Sequence, residues 1–172
     1  MTDAASIVKH ADQAAEHAVE LRLLSHPTYL AGARELVSGI SRRLGFDDKG
    51  SGQIALAVDE ALANIINHGY QRAPDRPIWI KLWSEAGPGL AGVRIVVEDE
   101  APHVDVAKIC GRDLEDVKPG GLGVHIIKEV MDSAEYSTRD PVGMRLTMVK
   151  HLNDTHAPCP DGPAPMDTPA NG

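Results

Sequence analysis

LAVDEALANIINHGY, residues 56–70, is the stretch on which the reading of this chain turns. At about 100° per residue, Ile54, Val58, Ala61, Leu62 and Ile65 fall on one face of a helix. Glu60, Asn64 and His68 form a polar stripe at i, i+4 and i+8 beside that face. Polar residues at the margin of a buried face sit where a helix would wall a cleft. A carboxylate there can accept a proton from an attacking hydroxyl or water. An asparagine oxygen is a hard ligand suited to Mg²⁺, which takes few protein ligands and completes its shell with phosphate oxygens and water. Taken alone, Glu60 and Asn64 read more simply as solvated surface.

A second motif shifts the balance. GGLGVHIIKEVMD, residues 120–132, is a glycine run leading into a helix whose apolar side is Val124, Ile126, Ile127, Val130 and Met131. Glycines let the backbone approach phosphates closely, and a helix N-terminus offers unpaired N–H groups to an anion. The spacing is neither GxGxxG nor a P-loop. Alone, the run is as much a hinge as a phosphate cradle. Asp99 directly follows residues 93–97, which read as a strand. A carboxylate there can accept a hydrogen bond from an exocyclic amine such as that of adenine, although a lone acid at a strand end is more commonly solvated.

Working outward, residues 21–24 read as an edge strand. Pro27 opens a helix at a position where its missing N–H costs nothing, and Leu30, Ala33, Val37, Ile40 and Leu44 carry that helix to a stop at Gly45. The motif helix is expected to begin at Ser51 or Gln53 and to stop near Gly69. Residues 78–83 alternate Ile78, Ile80 and Leu82 against Trp79, Lys81 and Trp83, a strand with one apolar face; the tryptophans either pack under a second layer or mark a subunit contact. Residues 85–92 read as a turn and residues 101–119 as a long loop with one short helix. Residues 134–138 and 144–150 read as two strands joined by a turn. Residues 1–20 form an N-terminal extension, 21–152 the globular domain, and 153–172 a Pro-rich tail with the composition of a disordered segment.

Composition removes several classes. The chain has 172 residues, enough for one domain with a real core, and only 3% aromatic residues, so the core is built from Leu, Val, Ile and Ala. A net charge of -8 argues against a nucleic-acid surface. No apolar run is long enough to span a bilayer. The first twenty residues lack the basic start and apolar stretch of a signal peptide, which makes a cytoplasmic protein the expectation. Cys110 and Cys159 read as free thiols in a reducing compartment. His125 reads as a packed or partly exposed residue rather than a ligand.

The order of these elements is helix with ExxxN, strand ending in Asp, long loop, GGLG, helix, then two strands. It resembles the GHKL ATP-binding superfamily, and more closely the small anti-sigma-factor serine/threonine kinases of bacteria. AVDEALANIINHGY matches the family's first box and PGGLGVHIIKEVMD its last; the likeness covers about residues 21–152. It implies an α/β two-layer sandwich, a mixed and mostly antiparallel sheet of four or five strands with helices on one face. It also implies ATP and Mg²⁺ as cofactors. Glu60 would be the catalytic base, Asn64 the metal ligand, and His68 would lie near the phosphates or the helix end. Asp99, with Ala101 beside it, would meet adenine. Gly121 and Gly123 would bracket the triphosphate within a cradle of Gly120, Gly121, Leu122, Gly123 and Val124, under a lid of about residues 104–119. The expected activity is phosphorylation of a serine on a small anti-sigma-factor antagonist, with a sigma factor as second partner, a homodimer as the assembly, and neither nucleic acid nor membrane bound. The middle box departs from the family pattern: DEAPHVD, residues 99–105, places Ala101 at the first glycine and His103 at the second conserved position. Met144 stands where the final strand often carries Asn. The alternative expectation is therefore a non-catalytic partner-switching regulator of the same fold, nucleotide-gated or nucleotide-free.

Overall fold

A computed structural model describes residues 19–87, 90–106 and 122–152. Their order is β1 (Val19–Leu24), a 3-10 turn (Pro27–Tyr29), α1 (Leu30–Arg43), α2 (Asp48–Asn64), a π turn (Ile65–Gly69), β2 (Pro77–Gly87), β3 (Leu90–Glu98), α3 (Leu122–Val130), β4 (Ser133–Thr138) and β5 (Met144–His151). The strands lie in the order β1-β2-β3-β5-β4. The chain is thus the expected sandwich, a five-stranded sheet with helices on one face. Every described pairing is antiparallel, where a mixed sheet was expected. The reason is the route of the chain. After β3 it crosses through α3 to the far edge as β4, then returns by a tight turn as β5, which runs opposite to both of its neighbours.

Alternation fixes which face is buried. Ile80 faces Val97 and Leu82 faces Ile95 across β2 and β3, and Ile95 and Val97 face Met148 and Leu146 across β3 and β5. All six are buried against Val58, Ala61, Leu62 and Ile66 from α2 and its π turn, Val37 from α1 and Ile127 from α3. Full burial of one such side chain contributes about 1.5–3 kcal/mol before entropy is counted. A one-residue slip in register would turn this whole set outward.

The opposite face carries no helix among the described residues. There the tryptophans are covered by cations. Arg22 and Arg139 lie over Trp79 at 5.6 and 4.7 Å, and Arg94 lies over Trp83 at 4.8 Å. Glu98 is buried among them and meets Lys81 at 3.1 Å and Arg145 at 2.6 Å. Burial pushes its carboxyl up, but the hydrogen bonds and charges of Lys81 and Arg145 outweigh this and hold it below the ordinary range.

Several boundaries differ from expectation. The motif helix begins earlier, at Asp48, because the Asp47 side chain accepts a hydrogen bond from Gly50 N at 2.6 Å and caps it. Residues 85–92, expected as a turn, are mostly strand, with Glu85 opposite Gly92 and Gly87 opposite Leu90. Gly92 serves the sheet: a Cβ on it would stand 2.5 Å from the Lys150 carbonyl oxygen. The predicted short helix between residues 101 and 119, most of the lid, the extension up to residue 18 and the tail from residue 153 lie outside the described residues, as do Cys110 and Cys159. No helix among the described residues is long and apolar enough to cross a membrane.

Candidate functional site

The two sequence motifs meet at Gly123. This residue is buried in the first turn of α3, and a Cβ placed on it would stand 2.7 Å from Glu60 Oε2 and 3.0 Å from Asn64 Nδ2. Only a glycine lets α3 come this close to α2. The carboxylate and the amide therefore converge on the opening turn of α3, as the stripe on residues 56–70 predicts. Of the adjacent acids, Asp59 goes elsewhere: its Oδ2 lies 3.7 Å from Arg34 on α1. Asn64 Nδ2 is buried with no hydrogen-bond partner among the described residues. An unpaired buried amide group costs about 1–3 kcal/mol, and this one retains the capacity to donate.

His68 is placed differently from Asn64. The backbone widens to a π turn after Asn64, with Tyr70 N donating to Ile65 O at 2.7 Å. The extra residue breaks the i+4 register of the stripe, and His68 is exposed. Gly120 and Gly121 lie outside the described residues, Leu122 is 50% exposed and Val124 is partly buried.

The second cluster lies past the end of β3. Asp99 is buried, and its Oδ1 accepts hydrogen bonds from Ala101 N at 2.7 Å and Met144 N at 3.2 Å. Both of these bonds go to Oδ1 and neither to Oδ2. Burial pushes this carboxyl above its ordinary range, against the pull of the two backbone N–H groups, Arg139 and His103. Ala101 is buried with its methyl against Gly69, where a Cβ on the glycine would come within 3.0 Å of it. The helix end has thus yielded the space that the methyl takes. His103 is exposed, and its Nε2 meets Arg139 O at 3.1 Å.

Tyr70 joins the two clusters. Its hydroxyl donates to Pro77 O and accepts from Glu100 N, both at 2.6 Å. Burial, opposed by the Glu100 N–H, pushes its pKa up to about 12. The motif helix is thereby tied directly to the segment that carries Asp99 and Ala101. Tyr70 stands within the quoted motif, but nothing in the spacing signals this tie, and the contribution of Met144 is a backbone group that no side chain announces.

A groove of about 550 Å³ opens elsewhere, between β1 and the start of α1, lined by Leu21, Leu23, Leu24, Tyr29 and Leu36. It is apolar and gathers neither Glu60 nor Asp99, so it is not the centre of this chemistry. The groups around Gly123 fit a phosphorylated nucleotide with its cation: a glycine at close approach, an amide whose Nδ2 can donate to a phosphate oxygen and whose Oδ1 can meet a dication, and a carboxylate beside it. Among the described residues no three His, Cys, Asp or Glu side chains form a metal cluster.

Comparison with known proteins identifies the family. Residues 23–150 match the family described as histidine kinase-like ATPase domain. The serine-protein kinase RsbW of Halalkalibacterium halodurans is 28% identical over 142 residues, covering 78% of this chain and 83% of the relative. That of Oceanobacillus iheyensis is 26% identical over 144 residues, covering 78% and 86%. That of Bacillus subtilis is 23% identical over 143 residues, again covering 78% and 86%. Among solved structures, the RsbU and RsbW domains of a Mycobacterium tuberculosis protein align with a TM-score of 0.54 and 16% identity, over 80% of this chain and 32% of that longer one, which supports the fold. With its ExxxN helix packed on a glycine at the start of α3, and with the match running from the end of β1 through to β5, this chain belongs to the histidine kinase-like ATPase domain family.

Proposed function

We propose that this chain is an ATP–Mg²⁺-dependent serine protein kinase that phosphorylates a small anti-sigma-factor antagonist, and that it binds a sigma factor in a partner switch. The observation that carries this reading is the convergence of Glu60 and Asn64 on Gly123. Asp99 Oδ2 accepts a hydrogen bond from the 6-amino group of adenine. The Asn64 amide oxygen holds the cation, which when bound neutralises charge on the phosphates. Backbone N–H groups at the start of α3, with those of Gly120 and Gly121, meet the phosphate oxygens, and the exposed His68, at the helix end, is at most an outer contact of the nucleotide. Glu60 takes the proton of the incoming serine as its Oγ bonds to the γ-phosphorus and the bond to the β-phosphate oxygen breaks, leaving ADP.

Residues 21–152 would form the kinase domain, acting in the cytoplasm as a homodimer, with residues 1–20 and 153–172 as extensions. Glu60→Ala is expected to abolish phosphate transfer to the antagonist while ATP binding persists. Unchanged transfer would remove Glu60 from its role. The alternative, a non-catalytic switch of the same fold, is motivated by Ala101 and His103 in the middle box. The lodging of the Ala101 methyl against Gly69 favours a pocket that still admits a base. Calorimetric titration with ATP–Mg²⁺ separates the two: absence of binding excludes the kinase, and binding without transfer to any cognate antagonist supports the switch.

A further inference from the structure

We infer that Arg139, in the turn between β4 and β5, is a positioning residue that sets base specificity by holding Asp99 from behind. The inference rests on the reading of Asp99 as the carboxylate that meets the base.

Arg139 is bound to residues 99–103 from both its side chain and its backbone. Its Nη1 donates to the main-chain oxygen of Asp99 at 3.2 Å and lies 3.5 Å from Glu100 Oε1. The guanidinium is fixed in place by stacking on Trp79 at 4.7 Å. The Arg139 carbonyl meets His103 Nε2 at 3.1 Å, and Arg139 N donates to Gly143 O at 2.9 Å, which closes the turn. At the other end of that turn Met144 N donates to Asp99 Oδ1 at 3.2 Å while Met144 O accepts from Asp99 N at 3.1 Å. Gly143 has a φ of +111°, and a Cβ on it would collide with the Asp99 carbonyl oxygen. The turn and the Asp99 backbone are thus in closest contact, and Arg139 is the one side chain of the turn that grips that backbone among the described residues.

None of the contacts of Arg139 is to the carboxylate oxygens themselves. Its effect is on their orientation. With Oδ1 spent on two backbone donors, the direction of Oδ2 depends on the rotation of the Asp99 backbone, which the Met144 pair holds on one side and the Arg139 guanidinium holds through the Asp99 carbonyl. A fixed, ionised oxygen accepts from the 6-amino group of adenine and repels the 6-oxo group of guanine. A carboxyl free to turn, or protonated, meets either. The positive charge of Arg139 also favours the ionised form of Asp99. A site built to hydrogen-bond one group rejects the analogue lacking it strongly, so loosening the carboxylate acts on the preference more than on binding as such.

The test is calorimetric titration of the full chain with ATP–Mg²⁺ and GTP–Mg²⁺, with thermal unfolding followed in parallel. Wild type is expected to prefer ATP. Arg139→Ala is expected to bind ATP about tenfold more weakly with little change toward GTP, so that the preference falls by the same factor. Arg139→Lys keeps the charge but cannot both stack and grip, and is expected to recover only part of the preference. Equal weakening of both nucleotides in Arg139→Ala, or an unchanged ratio, overturns the inference. Should Arg139→Ala fail to fold, a wild-type preference in Arg139→Lys overturns it. Wild type binding ATP and GTP alike, or neither, would instead remove the reading of Asp99 and the role of Arg139 with it.

Discussion

Gly123→Ala places one methyl group between the two motifs, and the structure says what that methyl meets. It would stand 2.7 Å from Glu60 Oε2 and 3.0 Å from Asn64 Nδ2, in each case a side-chain end and not backbone. Normal carbon–oxygen contact is about 3.3–3.6 Å, so Glu60 has to retreat by roughly half an ångström or more. Glu60 is only partly buried and can yield; Asn64, with its buried Nδ2, has less room. The fold should therefore lose about 1 kcal/mol, the low end of overpacking costs, or a melting shift of about 2–4 °C. Function should lose far more, because a displacement of this order at a reacting centre costs on the order of 100-fold in rate. Titration with ATP in Mg²⁺ and then in EDTA, beside thermal melts, checks this. Wild type is expected to bind more tightly with Mg²⁺ and the variant to lose most of that gain, because the displaced group is the proposed cation ligand. A variant with an undiminished Mg²⁺ gain would refute the placement of Asn64. A variant that melts more than 10 °C lower, about 3 kcal/mol or more, would show that Gly123 serves helix packing alone.

Tyr70→Phe removes one donor and one acceptor together, leaving Pro77 O and Glu100 N unpaired; a loss of about 1–3 kcal/mol in urea unfolding is expected, with ATP affinity falling as the Asp99 segment loosens. The neighbouring acids Glu98 and Asp99 should respond to acid with opposite signs. The Glu98 carboxyl is held low, so its contribution to stability is present above its ordinary value of 4.5 and is lost as pH falls through the lower folded value. The Asp99 carboxyl is held high, so its ionisation opposes folding: the fold gains as pH falls toward and below that raised value, while ATP binding, which on the proposed reading of Asp99 needs the charge, is expected to weaken over the same interval. Parallel melts and titrations across the acid range, with Asp99→Asn as the control that flattens the binding curve, measure both.

How much of this was legible in sequence follows from the kind of information each feature needs. The polar stripe on α2 and the glycine at the start of α3 are periodic or compositional signals, and Glu60, Asn64 and Gly123 came together as the pattern implied. His68 broke from the pattern because a π turn leaves no mark in composition. Gly92 was read as turn because glycine signals both a bend and a close backbone approach, and only the sheet register tells them apart. Ala101 departs from the family pattern, and the partner of its methyl, Gly69, lies far off in the chain, so sequence alone does not pair them. Arg139 carried no signal at all, since its partners are a main-chain oxygen, an indole face and a loop acid brought together by the return of β5 to the sheet centre.

The stacking of Arg139 on Trp79 has an optical consequence. The chain has only two tryptophans, Trp79 and Trp83, each under an arginine on the helix-free face of the sheet. Arg139 is also the side chain that holds the Asp99 backbone. Any rearrangement of the base-binding end thus passes within one residue of an indole. The protein carries its own fluorophore behind the Asp99 segment, and emission intensity under a flow of nucleotide tests with no label whether events reach Asp99.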